Sequence, residues 1–237
     1  MRVGTAGWTL PAQWQENFPV TGSHLERYAA RFSCTEINSS FYRQHKPSTY
    51  GRWAESVPED FRFSVKIPRA ITHDQALIAA DILLEVFLDE VTALGDRLGA
   101  LLVQLPPSLA FDGTRADDFF GLLRSMYGGG VVCEPRHASW FGAEANRILL
   151  HHRVARVAAD PACVPAAMAP GGWPGMQYTR LHGSPRMYYS PYPVSFLDRM
   201  AAAVDASVEQ WCIFDNTASN AAVGDALSLS TRLRQGL

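Results

Sequence analysis

Acidic, basic and amide side chains recur at the ends of short apolar runs along this chain. A polar residue in that position is typical of a buried parallel strand that presents a functional group at its carboxyl end. The residues in this pattern are Glu36, Asn38, Lys66, Gln104, Glu134, Arg136, His137, Asp160, Arg180, His182, Asp215 and Asn216. Because the carboxyl ends of parallel strands meet on one face, we expect one polar pocket. The alternative is a closed structural network of strand caps and ion pairs, since buried charges must be paired.

Three cations of this set, Lys66, Arg136 and Arg180, predict an anion site. Ammonium and guanidinium groups are the donors that proteins use for carboxylates and phosphates. Small polar residues and glycine follow the last two apolar runs, where barrel enzymes bind phosphate. We therefore expect a small phosphate- or carboxylate-bearing ligand, or a sugar-like one. The alternative is that the three cations only neutralise the neighbouring carboxylates.

Acid–base catalysis is the second chemistry that these residue types allow. Glu36 and Glu134 are the candidate acid and base, and His182 is the candidate proton shuttle. His137 is either a ligand contact or a residue that only orients its own loop. His73 is expected to cap the helix that follows it.

A divalent metal ion is the third chemistry to consider. Glu36, Glu134, Asp160, His182 and Asp215 are oxygen and imidazole groups of the kind that bind Mg²⁺, Mn²⁺ or Zn²⁺. The chain has no compact metal motif such as H-E-x-x-H, and the nearby Arg and Lys side chains would repel a cation. We therefore assign no metal ligand and predict no cofactor, while a divalent metal stays open as an alternative.

Aromatic residues in the loops after the apolar runs could stack on a sugar ring or a base. Trp8 and Trp140 are the two that we expect to contact a ligand. Most loop aromatics only fasten their loops to the protein, which is the alternative for both.

Eight short apolar runs must position these groups. They are Arg2–Ala6, Cys34–Ile37, Arg62–Lys66, Leu101–Leu105, Val131–Glu134, Val154–Ala159, Gln177–His182 and Trp211–Asp215. Their spacing of about 30 residues fits one βαβ unit each, and helical periodicity fills most gaps, including Gln75–Leu94. The pattern predicts an α/β protein, a (β/α)₈ barrel of the TIM type, with a doubly wound open sheet as the structural alternative. Residues 161–176 are rich in Pro and Gly, so an irregular connection is expected there.

Composition agrees with one globular domain over residues 1–237. The chain is 47% hydrophobic and 19% charged, with a net charge of −2, so it lacks the basic excess of a general nucleic-acid coat. The four cysteines form no C-x-x-C pair, which favours buried free thiols in a reducing compartment. No apolar stretch has the length of a signal peptide or a membrane span, so we expect a cytoplasmic protein without membrane contact.

Seven motifs in order carry a family resemblance. They are Gly4-Thr5-Ala6-Gly7-Trp8, Glu36-Ile37-Asn38-Ser39-Ser40-Phe41-Tyr42, Phe63-Ser64-Val65-Lys66, Gln104-Leu105-Pro106-Pro107, Glu134-Pro135-Arg136-His137-Ala138-Ser139-Trp140, Arg180-Leu181-His182-Gly183 and Phe214-Asp215-Asn216. Together they resemble the YecE-like family, a bacterial family of unknown function. The resemblance implies a TIM-type barrel, no established reaction, and a ligand-contacting tyrosine at Tyr189. The chain departs from the family pattern at Ser219-Asn220, where family members often have a glycine.

These observations favour an enzyme that binds a small anionic or sugar-like molecule in a polar pocket. The first alternative is a metal-dependent phosphodiesterase acting on nucleic acid. The second is a non-catalytic protein that uses the same pocket for a ligand or partner.

Overall fold

The computed structural model describes residues 1–236, so Leu237, the last residue of the predicted domain, lies outside the described residues. Ten strands lie along residues 1–236: β1 Arg2–Thr5, β2 Cys34–Ile37, β3 Arg62–Lys66, β4 Leu98–Gln104, β5 Gly130–Glu134, β6 Ala155–Arg156, β7 Ala158–Asp160, β8 Gly171–Gly172, β9 Met176–Leu181 and β10 Glu209–Phe214. The same residues form seven α-helices: α1 His24–Ala29, α2 Pro47–Glu55, α3 Asp81–Val91, α4 Gly113–Met126, α5 Ala143–His151, α6 Val194–Ala202 and α7 Ala221–Gln235. None of these helices is both long enough and apolar enough to cross a membrane.

The strands form two sheets that are almost entirely parallel. The first has the order β1-β10-β9-β7, and the second has the order β2-β3-β4-β5-β6-β8, with only β8 antiparallel. The predicted mixed α/β architecture with parallel strands is therefore confirmed. Within residues 1–236, the strand pairing does not form one continuous closed ring, because the predicted strand Val154–Ala159 is split at Val157. Its first part, β6, pairs with β5, whereas its second part, β7, pairs with β9.

The two sheets meet along β1 and β2. Ala6 and Glu36 form an isolated parallel bridge, and the Gly7 N–H donates to the Glu36 carbonyl at 2.8 Å. The Thr35 hydroxyl donates to the Thr5 carbonyl at 3.0 Å. Close approach of the backbones is possible because β1 carries Gly4 at the crossing. A Cβ atom on Gly4 would lie 2.0 Å from the carbonyl oxygen of Cys34.

Successive residues of each strand point into two different apolar clusters. On β4, Leu101 and Val103 pack in the outer cluster with the helices, whereas Ala100 and Leu102 belong to an inner cluster enclosed by the strands. This is the period of two that a strand imposes. Three of the four cysteines, Cys34, Cys133 and Cys212, are buried free thiols within these clusters, as predicted.

Two segments test the helix and loop predictions made from the sequence pattern. The irregular connection at 161–176 is confirmed, because its helical part is one short 3₁₀ turn, Pro165–Met168. The predicted helix Gln75–Leu94 is wrong at its start, because α3 begins only at Asp81. Positive φ angles at Ala76, Leu77 and Ala79 interrupt the chain before it, and helical periodicity does not reveal such angles.

The crossing at Gly4 yields a stability prediction. We expect Gly4→Ala to lower the free energy of unfolding by about 1–3 kcal/mol, because the new methyl group meets a backbone carbonyl that cannot move aside. Gly128→Ala is the matched control, since a Cβ there meets nothing within 4 Å and the change should stay within about 0.5 kcal/mol. Urea denaturation measures both. Equal effects of the two changes would contradict the assigned close approach of β1 and β2.

Candidate functional site

The candidate site has Arg180 of β9 at its centre. Its guanidinium donates from Nε and Nη2 to the two carboxylate oxygens of Glu36, at 3.0 and 2.7 Å. Nη1 donates to Glu134 Oε2 at 2.5 Å, and Nη2 also donates to Asp215 Oδ2 at 3.0 Å. Arg180 is fully buried. One cation thus holds three carboxylates from three different strand ends.

The alternation of the strands brings these groups together. Cys34, Ala100, Val132, Tyr178 and Ile213 all belong to the inner apolar cluster. Two residues further along each strand, and on the same face, lie the polar residues: Glu36 after Cys34, Glu134 after Val132, Arg180 after Tyr178 and Asp215 after Ile213. The polar site is therefore the layer next to the inner cluster, at the carboxyl ends of the strands.

The positive charges of Arg180 and His182 keep the buried carboxylates of Glu134 and Asp215 ionised. Burial alone would raise the pKa of Glu134, but the charges of Arg180 and His182 hold that pKa well below its ordinary value. The pKa of Asp215 is lowered against burial by the same two cations. Glu36 accepts a further hydrogen bond from the Tyr178 hydroxyl, at 3.0 Å, so both of its oxygens are engaged.

His182 of the segment after β9 bridges two of these carboxylates. Its Nδ1 lies 3.0 Å from Asp215 Oδ2, and its Nε2 lies 3.0 Å from Glu134 Oε1. Burial lowers the pKa of this histidine, but the charge of Glu134 and the bonds to both carboxylates raise it above its ordinary value. An imidazolium that donates from both nitrogens fits this geometry.

Lys66 at the end of β3 is the cation without a partner. Its side chain is buried, with 8% of the residue exposed, and its Nζ lies 3.9 Å from the centre of the Phe41 ring. Among residues 1–236, no carboxylate forms an ion pair with this ammonium, because the nearest three already bind Arg180. Burial, and then the charge of Arg180, lower its pKa to about 8.

Arg136 and Tyr188 form the rim of the site. Arg136 donates from Nε to Glu134 at 3.2 Å and from Nη1 to the Tyr188 hydroxyl at 3.3 Å, and its side chain is 22% exposed. The Tyr188 ring stands edge-on to His182, with 5.8 Å between the ring centres. The predicted Tyr189 is one residue away from this position. Its ring packs under Arg186 and lines a separate groove of about 860 Å³ between α6 and α7.

Three further predicted amides differ in their surroundings. Gln104 is buried at the end of β4, beside Glu134 in the strand register. Asn38 has a buried side-chain oxygen without a partner among the described residues. Asn216 donates to Asp225 at 2.7 Å and to the Ser190 carbonyl at 3.0 Å, so it fastens the loop before α6 to α7, and its own side-chain oxygen is likewise buried without a partner among the described residues.

The structure does not bring four other predicted residues into the site. Asp160 accepts from the Tyr192 hydroxyl at 2.7 Å. His137 lies 2.8 Å from the Ser139 hydroxyl and caps the 3₁₀ turn that follows it. Trp140 is buried and its indole N–H donates to the Leu109 carbonyl at 3.0 Å, while Trp8 packs on Trp53 and Phe63.

Sequence reasoning missed Tyr178, chose Tyr189 rather than its neighbour Tyr188 among the loop aromatics, and assigned His73 to a helix cap. Tyr178 precedes Arg180 by two residues, so the strand period could have identified it. His73 lies in the π-helical turn Ala70–Asp74, with its ring 4.9 Å from that of Phe41. Burial, and then the charges of Lys66 and Arg69, lower the pKa of His73. No sequence signal marks that proximity.

The metal alternative does not fit the donor set. Among the described residues, no group of three or more His, Cys, Asp or Glu side chains could hold a metal ion. The oxygens of Glu36, Glu134 and Asp215 face the guanidinium of Arg180, whose charge would repel a cation at the same place.

Comparison with known sequences gives consistent matches. The family described as "Protein of unknown function DUF72" matches residues 2–237. The UPF0759 protein YecE of Escherichia coli K12 is 37% identical over 171 residues, which are 70% of this chain and 61% of that protein. The UPF0759 protein YunF of Bacillus subtilis 168 is 26% identical over 147 residues, 59% of this chain and 51% of that protein. The matches thus span about half to three fifths of these relatives.

Two solved structures share the fold. A DUF72 family protein from Enterococcus faecalis V583 superimposes with a TM-score of 0.80 at 18% identity, covering 98% of this chain and 95% of that one. A DUF72 family protein from Thermotoga maritima MSB8 gives a TM-score of 0.78 at 24% identity, covering 98% of both chains.

The position of Arg180 predicts a structural rather than a ligand-binding role. We expect Arg180→Met to lower the free energy of unfolding by about 3–5 kcal/mol, because three carboxylates lose their common partner. The double change Arg180→Met with Glu36→Gln should recover part of the loss. Arg232→Met removes an exposed pair with Asp198 and should cost at most about 1 kcal/mol. If the Arg180→Met variant unfolds at the same urea concentration as the unchanged protein, the structural role of Arg180 is contradicted.

The bridging imidazole predicts a pH-dependent stability. The pKa of His182 is raised in the folded state, so its contribution is fully present below the ordinary value near 6.5 and is lost as pH rises through the folded pKa. We expect His182→Gln to destabilise the protein more at about pH 6 than at about pH 9. The matched control is His24→Gln, which changes an exposed histidine and is measured by the same denaturation at both pH values. An effect of His182→Gln that grows with pH would show that the imidazole is neutral in the fold.

Proposed function

The chain belongs to the DUF72 family, as its resemblance to YecE-like proteins predicted, and from that premise we propose that it is an enzyme that binds a small organic anion at the carboxyl ends of its strands. The single observation that supports this is Lys66, a buried ammonium with no anionic partner among the described residues. A buried charge without a partner is unfavourable unless a ligand supplies one. The proposed ligand bears a carboxylate or a phosphate.

The charge balance of the site supports the same proposal. The site holds three carboxylates, on Glu36, Glu134 and Asp215, and four cations when His182 is protonated, namely Arg180, His182, Arg136 and Lys66. One positive charge is therefore left over. Lys66 has no ion pair among the described residues, and Arg136 pairs with Glu134 at the partly exposed rim, so we propose that these two cations contact the anion.

A proton relay next to the anion is the second part of the proposal. Glu134 contacts Arg136 at the rim and His182 in the interior, so it is the candidate acid and base nearest the ligand. His182 uses both ring nitrogens on carboxylates, and we propose that it acts through Glu134 rather than on the ligand directly. Glu36 has both oxygens on Arg180 and Tyr178, so its proposed role is to position the arginine.

We further propose that the two sheets together form one eight-stranded barrel of the TIM type. The Ala6–Glu36 bridge and the continuous chain from β6 to β7 support this closure. In such barrels the pocket lies at the carboxyl ends of the strands. A metal-dependent phosphodiesterase is not proposed, because the carboxylates that it would need are bound to Arg180.

Binding of two small anions, phosphate and oxalate, tests the proposal. We expect phosphate and oxalate to bind in calorimetry, and Lys66→Met and Arg136→Met each to weaken the binding about tenfold or more, since each removes a charge-assisted contact. Binding of oxalate, which stays ionised, should weaken from about pH 7 to about pH 9.5 as Lys66 loses its proton. Lys46→Met, at an exposed site before α2, is the matched control.

Two outcomes would overturn the proposal. The first is an anion affinity that Lys66→Met and Arg136→Met leave unchanged, and the second is an equal loss with Lys46→Met. Circular dichroism of each variant checks that the fold is kept.

A further inference from the structure

The choice of cation at position 66 is unusual for this chain. The sequence has 19 arginines and only two lysines, Lys46 and Lys66. Lys46 lies exposed before α2. The other lysine is the buried one, in the polar site.

An arginine would serve a pure anion-binding role at least as well. Its guanidinium is always charged and offers a planar set of donors that matches carboxylate and phosphate. The other two strong cations of the site, Arg136 and Arg180, are arginines. What a lysine offers and an arginine does not is a nitrogen that can lose its proton and act as a nucleophile.

The surroundings of Lys66 favour that use. Its Nζ rests against the face of Phe41, and no carboxylate binds it directly, so its lone pair would not be tied up by a neighbour once the proton leaves. Its pKa of about 8 leaves roughly a tenth of the amine neutral at pH 7, about 200-fold more than for an ordinary lysine. With 8% of its surface exposed, Lys66 keeps a limited contact with solvent.

We propose that Lys66 Nζ forms an imine with a small aldehyde or ketone that carries a carboxylate or phosphate. This inference rests on the proposed function, because Arg136 would hold the anionic group of the same molecule. The substrate class is thus narrowed to short carbonyl compounds such as oxo acids and sugar phosphates.

The step balances without a redox partner. The neutral amine forms an N–C bond to the carbonyl carbon while the C=O π electrons move to oxygen. The oxygen takes up a proton and the nitrogen loses one, which gives a carbinolamine. Protonation of its hydroxyl and loss of water break the C–O bond and leave a protonated imine. The proposed source of these protons is His182, whose pKa is raised and whose Nε2 lies 3.0 Å from Glu134 Oε1, with Glu134 as the group through which they pass. The sum is one carbonyl compound and one ammonium giving one protonated imine and one water.

Reductive trapping of the intact protein tests the inference. The folded protein is incubated with glyoxylate, pyruvate or glycolaldehyde phosphate and sodium cyanoborohydride, which reduces an imine to a stable amine. Intact mass and peptide mapping then locate the adduct. We expect one saturable adduct at Lys66, lost in Lys66→Arg and Lys66→Met and kept in Lys46→Arg. At pH 7 it should form about 100-fold faster than at Lys46, and neutral propionaldehyde should react more slowly than the anionic aldehydes.

The outcomes separate this inference from the function on which it rests. Anion binding that depends on Lys66 and Arg136, together with no trapping at Lys66, would overturn the imine and leave the anion site. Trapping at Lys66 that does not depend on Arg136 or on the anionic group would support the imine and overturn the anion site. Equal labelling of Lys46 and Lys66 would overturn the nucleophilic role, and the Lys66→Arg variant, which keeps the charge, guards against a folding defect.

Discussion

The fully buried guanidinium of Arg180 is the interaction on which the rest of the site depends. Three carboxylates from β2, β5 and the end of β10 converge on it, and removing it would leave all three without their common partner in the interior. A lysine could not replace it, because one ammonium nitrogen cannot reach three carboxylates with the planar spacing that the guanidinium nitrogens provide. The network therefore fixes the relative positions of the strand ends as well as the charges.

This arrangement also determines which groups remain for chemistry. Because Arg180 takes up the carboxylates, Lys66 has no anionic partner within residues 1–236, although their charges raise its pKa against burial. Glu134 is shared by Arg180, His182 and Arg136, so it connects the buried network to the rim. Glu134 is thus the group through which a change at the rim can reach His182, as the proposed proton relay requires.

The two-residue alternation of side chains along a strand explains how much of the candidate site the sequence could predict. Polar residues that end apolar runs were expected to share one face, and Glu36, Lys66, Glu134, Arg180 and His182 do so. Their roles were not predictable in the same way, since the number of carboxylates around a cation depends on strands that are distant in sequence. Loop side chains were harder still. Tyr188 and Tyr189 are adjacent in the sequence, and no sequence signal shows which of the two lies at the site. Nothing in the sequence shows that the Trp140 side chain turns inward to the Leu109 carbonyl.

The two buried cations differ in what they do for the fold. Arg180 satisfies its donors within the protein, so the folded state gains from it and a ligand has nothing to add. Lys66 is desolvated without an ion pair, and only the Phe41 ring and the more distant carboxylates offset that loss. Folding alone would be served better by an apolar side chain at position 66. The ammonium of Lys66 is therefore not explained by the unliganded fold, and this is the observation from which we propose that it acts on a bound molecule.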